Sequence, residues 1–198
     1  MGTTGRVVSM KPPVLRTERL LLRRWTDDDR EAFAQINANP EVMRYRQRPL
    51  TRRESDDLID TIEACFDENG FGQWAVERTA DHRLIGFIGL EVANEDMPFR
   101  PLVHIGWHLA VDAWHHGYAT EGAQAVLQFA FDVVGLSEVV AHTTARNERS
   151  QAVMRRLGMT HDPPDDFDGP WYPAGHPNRR FVLYRLTERD WRTRRANA

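Results

Sequence analysis

The sequence predicts an α/β protein: a mixed, mostly antiparallel central sheet with helices on both of its faces. Three strand-like runs follow one another in mid-chain. The strongest helical stripe stands between two strands, and two helices precede the run. Strands in series beside single helical crossovers imply a mixed sheet that is covered on both sides. At 198 residues the chain suits one domain with a full core and is short for two. Residues 1–198 are therefore read as one domain, with a core over about 15–190, a leading extension over 1–14 and a tail over 187–198.

Residues 19–25 are rich in leucine and read as the first strand. Thr26 then reads as a helix N-cap, because three aspartates follow it near the positive end of the dipole. Ala32, Phe33 and Ile36 support a short helix that stops before Pro40. Thr51 with Glu54 forms a capping-box pattern. Leu58, Ile62, Cys65 and Phe66 recur at helical spacing until Asn69-Gly70. Strands are expected over 72–77, 84–92 and 102–111, with a proline-bearing hairpin connection over 94–101. Ala119, Ala123, Val126, Leu127, Ala130, Phe131 and Val134 line one helical stripe, closed by Gly135. A strand over 139–144, a helix over 150–157 ended by Gly158, and a strand start over 159–161 follow. Residues 162–177 read as loop, 180–186 as a last strand, and Thr187 as the cap of a short basic tail.

Hydrophobic residues make up 41% of the chain and charged residues 28%, an ordinary balance for a folded domain. The net charge of -3 opposes a general nucleic-acid-binding surface. No apolar run reaches the ~20 residues that span a bilayer, and the first residues lack an apolar signal core. Cys65 is the sole cysteine, so no disulfide forms within the chain. A cytoplasmic protein without nucleic-acid or membrane partners is expected. Charge is segregated: arginines crowd residues 44–53, and acids crowd 54–68 and 162–168.

The sharpest feature is Trp114-His115-His116-Gly117-Tyr118-Ala119-Thr120-Glu121, between a strand and the strongest helix. A turn entering a helix offers unpaired N–H groups and the positive dipole end, which suit a pyrophosphate. Gly117 and Ala119 are small where a ligand must approach the backbone. This segment resembles the acyl-CoA signature of the GNAT superfamily of N-acetyltransferases. It is more similar still to the W-G-K-G-Y-A-T-E form of the ribosomal-protein-alanine N-acetyltransferase branch. Four further stretches match in order: Leu15 to Arg23, then Leu84 to Leu90, then His104-Ile105-Gly106-Trp107-His108-Leu109, then Asn147-Glu148-Arg149-Ser150 with Leu157-Gly158-Met159 behind it.

The resemblance implies the GNAT fold over about residues 15–190 and acetyl-CoA as cosubstrate. It implies that the amides of His116, Gly117, Tyr118, Ala119 and Thr120 hold the pyrophosphate. The main chain of Leu109, Ala110 and Val111 would pair with the pantetheine arm, as an added strand does. Asn147 and Ser150 would lie by the pantetheine and the thioester. The implied reaction is direct transfer of acetyl to a primary amine, either a peptide N-terminus or a small molecule, by a monomer or homodimer. A non-catalytic acyl-CoA-binding protein of the same fold is the alternative.

Direct attack needs a neutral amine. An α-amine with pKa near 8 is roughly a tenth neutral at pH 7, so a modest general base suffices. His104 stands where many relatives carry a glutamate, and serves either as that base or as a sheet histidine. Asp162 is the rival base or a loop cap. The tyrosine acid of many relatives is replaced by Met154, which leaves Ser150 as the acid or as a helix cap. Cys65 reads as a buried small hydrophobe. Eight histidines form no set with known ligand spacing, so no metal is expected. Trp74, Trp107, Trp171 and Tyr172 are candidates for the acceptor pocket, and the acidic runs are candidates for holding a cationic acceptor.

Overall fold

Residues 13–93 and 103–196 are described by the structure, a computed structural model. The expected connection over 94–101 lies outside the described residues, as does the leading extension up to residue 12. A two-residue strand, β1 (Leu15–Arg16), pairs antiparallel with β2 (Leu20–Arg23). Leu20 and Leu22 turn inward and are fully buried.

The helix α1 (Asp29–Ala38) begins differently from the expected Thr26 cap. Asp28 holds the cap position with no side-chain bond. Asp29 Oδ2 instead accepts from the N–H and the hydroxyl of Thr26, at 2.8 and 2.9 Å. Arg23 donates to both Asp29 oxygens, at 2.7 and 2.8 Å. A buried carboxylate is thus neutralised and ties β2 to α1. In α2 (Arg52–Asn69) the capping box forms as expected. Thr51 Oγ1 accepts from the Glu54 N–H, and the Glu54 carboxylate accepts from the Thr51 N–H. Gly70, at φ 74°, ends the helix. Its buried face runs through Ser55, Ile59, Ile62 and Phe66, so Cys65 lies on the flank and is half-buried.

Next comes a meander of β3 (Gln73–Arg78), β4 (Arg83–Val92) and β5 (Val103–Leu109). β5 ends two residues before the expected 111, because 111–113 tighten into a 3-10 turn and the Ala110 N–H donates to the Ile85 carbonyl at 2.9 Å. The helix α3 (Tyr118–Phe129) continues as a π turn over Ala130–Val134 and closes at Gly135. β6 (Glu138–Thr144) leads to α4 (Glu148–Leu157), which starts two residues before the expected 150 because Asn147 is its cap. β7 (Thr160–His161) and β8 (Phe167–Asp168) both pair with β9 (Arg180–Thr187), so a short strand lies inside the expected 162–177 loop. α5 (Glu188–Ala196) is a helix where a short tail was expected. Thr187 caps it by accepting from the Asp190 N–H at 3.1 Å.

The strands form one sheet in the order β1-β2-β3-β4-β5-β6-β9-β7, with β8 beside β9. Among the described residues β5 and β6 are the one parallel pair. Phe87 of β4 packs edge-on to Phe33 of α1, with ring centroids 6.1 Å apart. On the opposite face of β4, Ile88 meets Gly122 of α3 so closely that a Cβ there would lie 2.5 Å from Ile88 Cδ1. Helices therefore cover both faces, and each fully buried Phe, Leu or Ile contributes roughly 1.5–3 kcal/mol. A smaller cluster around Val140, Phe167, Phe181 and Leu183 lies under the 167–181 segment.

Candidate active site

β5 and β6 are joined only at their beginnings. Val103 pairs with Val139 and His104 with Val140, and then the strands part. β5 stays with β4 as far as Leu109, while β6 stays with β9 as far as Thr144. The edge of β5 that faces β6 is left with N–H and C=O groups lacking a strand partner, which an extended ligand can complete. A cleft of about 1380 Å³ opens over this wedge.

The wide end of the wedge meets the turn into α3. Trp114 donates its indole N–H to the Leu109 carbonyl at 2.9 Å. His115 at φ 65° and Gly117 at φ 84° are both left-handed, so the chain coils tightly before the helix. The first helical bond runs from the Glu121 N–H to the Gly117 carbonyl, at 3.0 Å. The N–H groups of Tyr118, Ala119 and Thr120 therefore precede any partner within α3, and with the dipole they form an anion cradle. Leu109, Gly117, Tyr118, Ala119 and Thr120 line the cleft. His116 does not: its carbonyl accepts from Arg19 Nη1 at 3.0 Å and its ring stacks on Tyr118. Ala110 and Val111 also lie outside the lining, beyond the end of β5.

Glu121, in the first turn of α3, would by itself repel an anion. Arg19 answers it with Nε to Oε2 at 2.7 Å and its N–H to Oε1 at 2.9 Å. Thr17 adds its hydroxyl to Oε1 at 2.5 Å. The guanidinium also stands over the Tyr118 ring, 4.8 Å from its centroid, so the turn keeps a cation beside its amides.

The narrow end carries the titratable groups. Register sets Glu91 opposite His104, Gly89 opposite Gly106 and Phe87 opposite His108, all on the α1 face. Gly106 leaves a gap between these pairs, since a Cβ there would meet nothing within 4 Å, whereas a Cβ at Gly89 would lie 2.2 Å from the Gly72 carbonyl oxygen. His104 Nε2 lies 3.4 Å from Glu91 Oε2. Burial works to raise the Glu91 pKa, but the hydrogen bond to His104, its charge and that of Arg46 prevail and hold the carboxyl below its usual range. The ring of His142 on β6 lies tilted beside that of His104, with centroids 5.0 Å apart. Burial, with the charges of His104 and Arg46, pushes the His142 pKa down to about 3. Burial and Arg46 push His108 down to about 3 as well. His108 Nε2 donates to Asn37 Oδ1 at 2.9 Å and its ring stacks on Phe87. Both rings are therefore neutral near pH 7.

On the far wall, Asn147 Oδ1 accepts from the Ser150 N–H at 3.2 Å, and its Nδ2 donates to Thr143 Oγ1 at 3.0 Å. Asn147 is thus committed to capping α4, and Ser150 is a helix residue rather than the cap. The Ser150 hydroxyl makes no hydrogen bond among the described residues, and the residue lines the cleft beside buried Met154. Arg149 lies over the Trp114 ring at 4.7 Å and 3.6 Å from Glu41, bridging the mouth. Asp162 is exposed ahead of the 163–165 turn and is not among the lining residues.

Several features had weak or no sequence signal. Thr144 buries a hydroxyl that has no partner among the described residues, and it lines the cleft. Arg19 and Arg46 belong to the lining, but nothing local separates them from the other arginines. Most carboxylates of the acidic runs are paired within the chain rather than free for a cationic acceptor. Asp165 pairs with Arg185, Asp166 with His161 and Asp168 with Arg179. On α2, Glu54 pairs with Arg48, Asp60 with Arg30 and Glu63 with Arg24. Trp107, Trp171 and Tyr172 line the cleft, whereas Trp74 is core against Phe66. Cys65 is outside the lining; burial, then the Glu91 and Glu68 carboxylates, push its thiol up, so it is a poor nucleophile at neutral pH. Among the described residues no three His, Cys, Asp or Glu side chains converge as metal ligands do.

The model of the acetyltransferase (GNAT) domain family matches residues 19–160. The chain is 31% identical over 188 residues to FsC-acetyl coenzyme A-N(2)-transacetylase of Aspergillus fumigatus, covering 90% of this chain and 78% of that protein. It is 30% identical over 149 residues to the uncharacterised N-acetyltransferase YoaA of Bacillus subtilis, covering 74% and 82% of the two. The solved structure of an acetyltransferase from Agrobacterium tumefaciens matches with a TM-score of 0.72 at 27% identity, covering 90% of this chain and 96% of that one. With its sheet parted beside a helix-capping turn, and with these relatives, the chain belongs to the acetyltransferase (GNAT) family and is an acetyl-CoA-dependent acyltransferase.

Proposed function

We propose that this chain, acting as one domain over about residues 15–190, moves an acetyl group from acetyl-CoA to a primary amine by direct attack. The observation that carries this reading is the wedge between β5 and β6, with the Gly117 turn at its wide end and the Glu91–His104 pair at its narrow end. The amides of Gly117, Tyr118, Ala119 and Thr120, with Arg19 beside them, would hold the pyrophosphate. The open edge of β5 up to Leu109 would pair with the pantetheine arm. Because the Ala110 N–H already serves Ile85, that pairing belongs to β5 itself rather than to 110–111.

The amine nitrogen attacks the thioester carbon while its proton passes to His104, directly or through water. The C–S bond then breaks, and the sulfur leaves with a proton from water or from the Ser150 hydroxyl, which is reprotonated from water as His104 returns its proton to solvent. Glu91 Oε2 stands 3.4 Å from His104 Nε2, opposite in charge to the imidazolium that results. The position of Asp162 outside the cleft lining favours His104 over it as base. Asn147 acts through the placement of α4. The acceptors the reading admits are peptide N-termini, as in the ribosomal-protein-alanine branch, and small-molecule amines. A cytoplasmic setting fits the single cysteine.

The test is thiol release from acetyl-CoA with a panel of peptides and small amines, with products identified by mass spectrometry. Acetylated amine and free thiol should appear in equal amounts for at least one acceptor class. Acetyl-CoA binding without release above buffer for any amine would contradict the reading.

A further inference from the structure

Five arginines lie within residues 44–53, and four of them are paired. Arg44 contacts Glu41 at 3.4 Å, Arg48 contacts Glu54, Arg52 contacts Asp56 at 2.9 Å, and Arg53 contacts Asp57 at 3.8 Å. Arg46 alone of the five makes no side-chain hydrogen bond or ion-pair contact among the described residues, although it lines the cleft. It is an exposed residue on the wall of the cavity, and its charge is felt at Glu91, His108 and His142. A guanidinium on the wall of a cleft, with no carboxylate already bound to it, gains from an anion brought into contact.

The backbone that carries Arg46 is held on all sides. Its N–H donates to the Met43 carbonyl at 2.8 Å. The Tyr172 hydroxyl donates to the Tyr45 carbonyl and Gln47 Nε2 to the Trp171 carbonyl, both at 2.8 Å. The side chain therefore projects from a fixed base, which lowers the entropy lost when it grips a ligand. Glu91, held ionised in the same part of the cleft, supplies the opposite charge.

We infer that the amine acceptor is a small molecule bearing a carboxylate close to its amine, and that Arg46 binds that carboxylate while the amine faces Glu91 and His104. The inference rests on the reading of this cleft as the acetyl-transfer site. A guanidinium fork matches the two oxygens of a carboxylate. A phosphate dianion would meet one unpaired arginine and the nearby Glu91 charge, so a single negative charge fits better. The amine of a long peptide carries no carboxylate beside it, so amino-acid-like acceptors are favoured.

The test uses the full chain and matched acceptor pairs: glycine with glycinamide, β-alanine with β-alaninamide, and several α-amino acids with their amides. Thiol release is read at saturating acetyl-CoA. The amide has the less basic amine and more neutral amine near pH 7, so chemistry alone favours it. The inference expects the reverse in the best pair, with the acid ahead in kcat/KM by about tenfold or more. Arg46→Gln should erase that lead through KM, Arg46→Lys should restore part of it, and the acetyl-CoA Kd should be equal in all three proteins. Amides equal to or better than acids in every pair would overturn the inference, as would an Arg46→Gln loss that is the same for acid and amide. Acetyl transfer to amines without a carboxylate, with no acid preferred, would leave the acetyl-transfer reading standing and remove this inference alone. Bound acetyl-CoA with no amine acetylated would instead remove the reading beneath it.

Discussion

Glu91 and His104 occupy facing positions of one β ladder, so their separation is set by sheet register and not by flexible loops. A base positioned in this way typically contributes ~10²–10⁴-fold. His104→Ala should therefore lower kcat/KM by about a hundredfold, while acetyl-CoA binding persists. An unchanged pH–rate profile in this variant would exclude His104 as the base. That His104 and Gly117 would line one cleft was legible in the sequence, because each lies inside a short local motif. Arg19 and Glu121 were not, because their contact joins residues 102 apart in the chain. Arg46 was hidden for another reason: its distinction is the partner it lacks, and sequence does not show which arginines are paired.

Helix ends show the same division between local and distant causes. The Thr51–Glu54 box is built from neighbours, so its pattern alone is sufficient and the structure forms it. Thr26 has a similar pattern, but Asp29 accepts from it instead and turns its carboxylate to Arg23 on β2. At α4 the side chain of Asn147 reaches the Ser150 N–H and Thr143 together, which a serine cap could not do. Thr51→Ala should cost about 1 kcal/mol and lower Tm by a few degrees in a thermal melt, with no change in acetyl-CoA affinity. A loss of binding in that variant would show that α2 contributes directly to the donor site.

Across the whole molecule, the order of secondary elements made the α/β class legible, and the helices on both faces followed from it. The parting of β5 from β6 was less so. It depends on β6 keeping β9 as its partner over seven residue pairs, while only two join it to β5, and such long-range pairing leaves no periodicity to read. The sheet also buries His108 and His142 as neutral rings, with pKa values near 3. In the unfolded chain each takes a proton near pH 6.5. The unfolded state thus binds more protons as pH falls below about 6.5. Their contribution to stability is complete above that pH and declines toward pH 3, by up to about 1.4 kcal/mol per pH unit for each ring. Thermal melts should show a lower Tm at pH 5.5 than at pH 7.5, with a smaller difference in His108→Phe. Equal melting temperatures at both pH values in the parent chain would contradict the neutral buried pair.

Acetyl-CoA binding at the Gly117 turn is the step on which acetyl transfer depends, and titration calorimetry with acetyl-CoA on the parent chain and on Gly117→Asn measures it. Asparagine tolerates the left-handed backbone at this position, so the variant keeps the turn but places a side chain where the pyrophosphate would approach. A Kd of about tens of micromolar or tighter is expected for the parent, and one at least about tenfold weaker for a folded Gly117→Asn. Equal affinities in the two proteins, or no binding by the parent, would contradict acetyl-CoA binding at this turn.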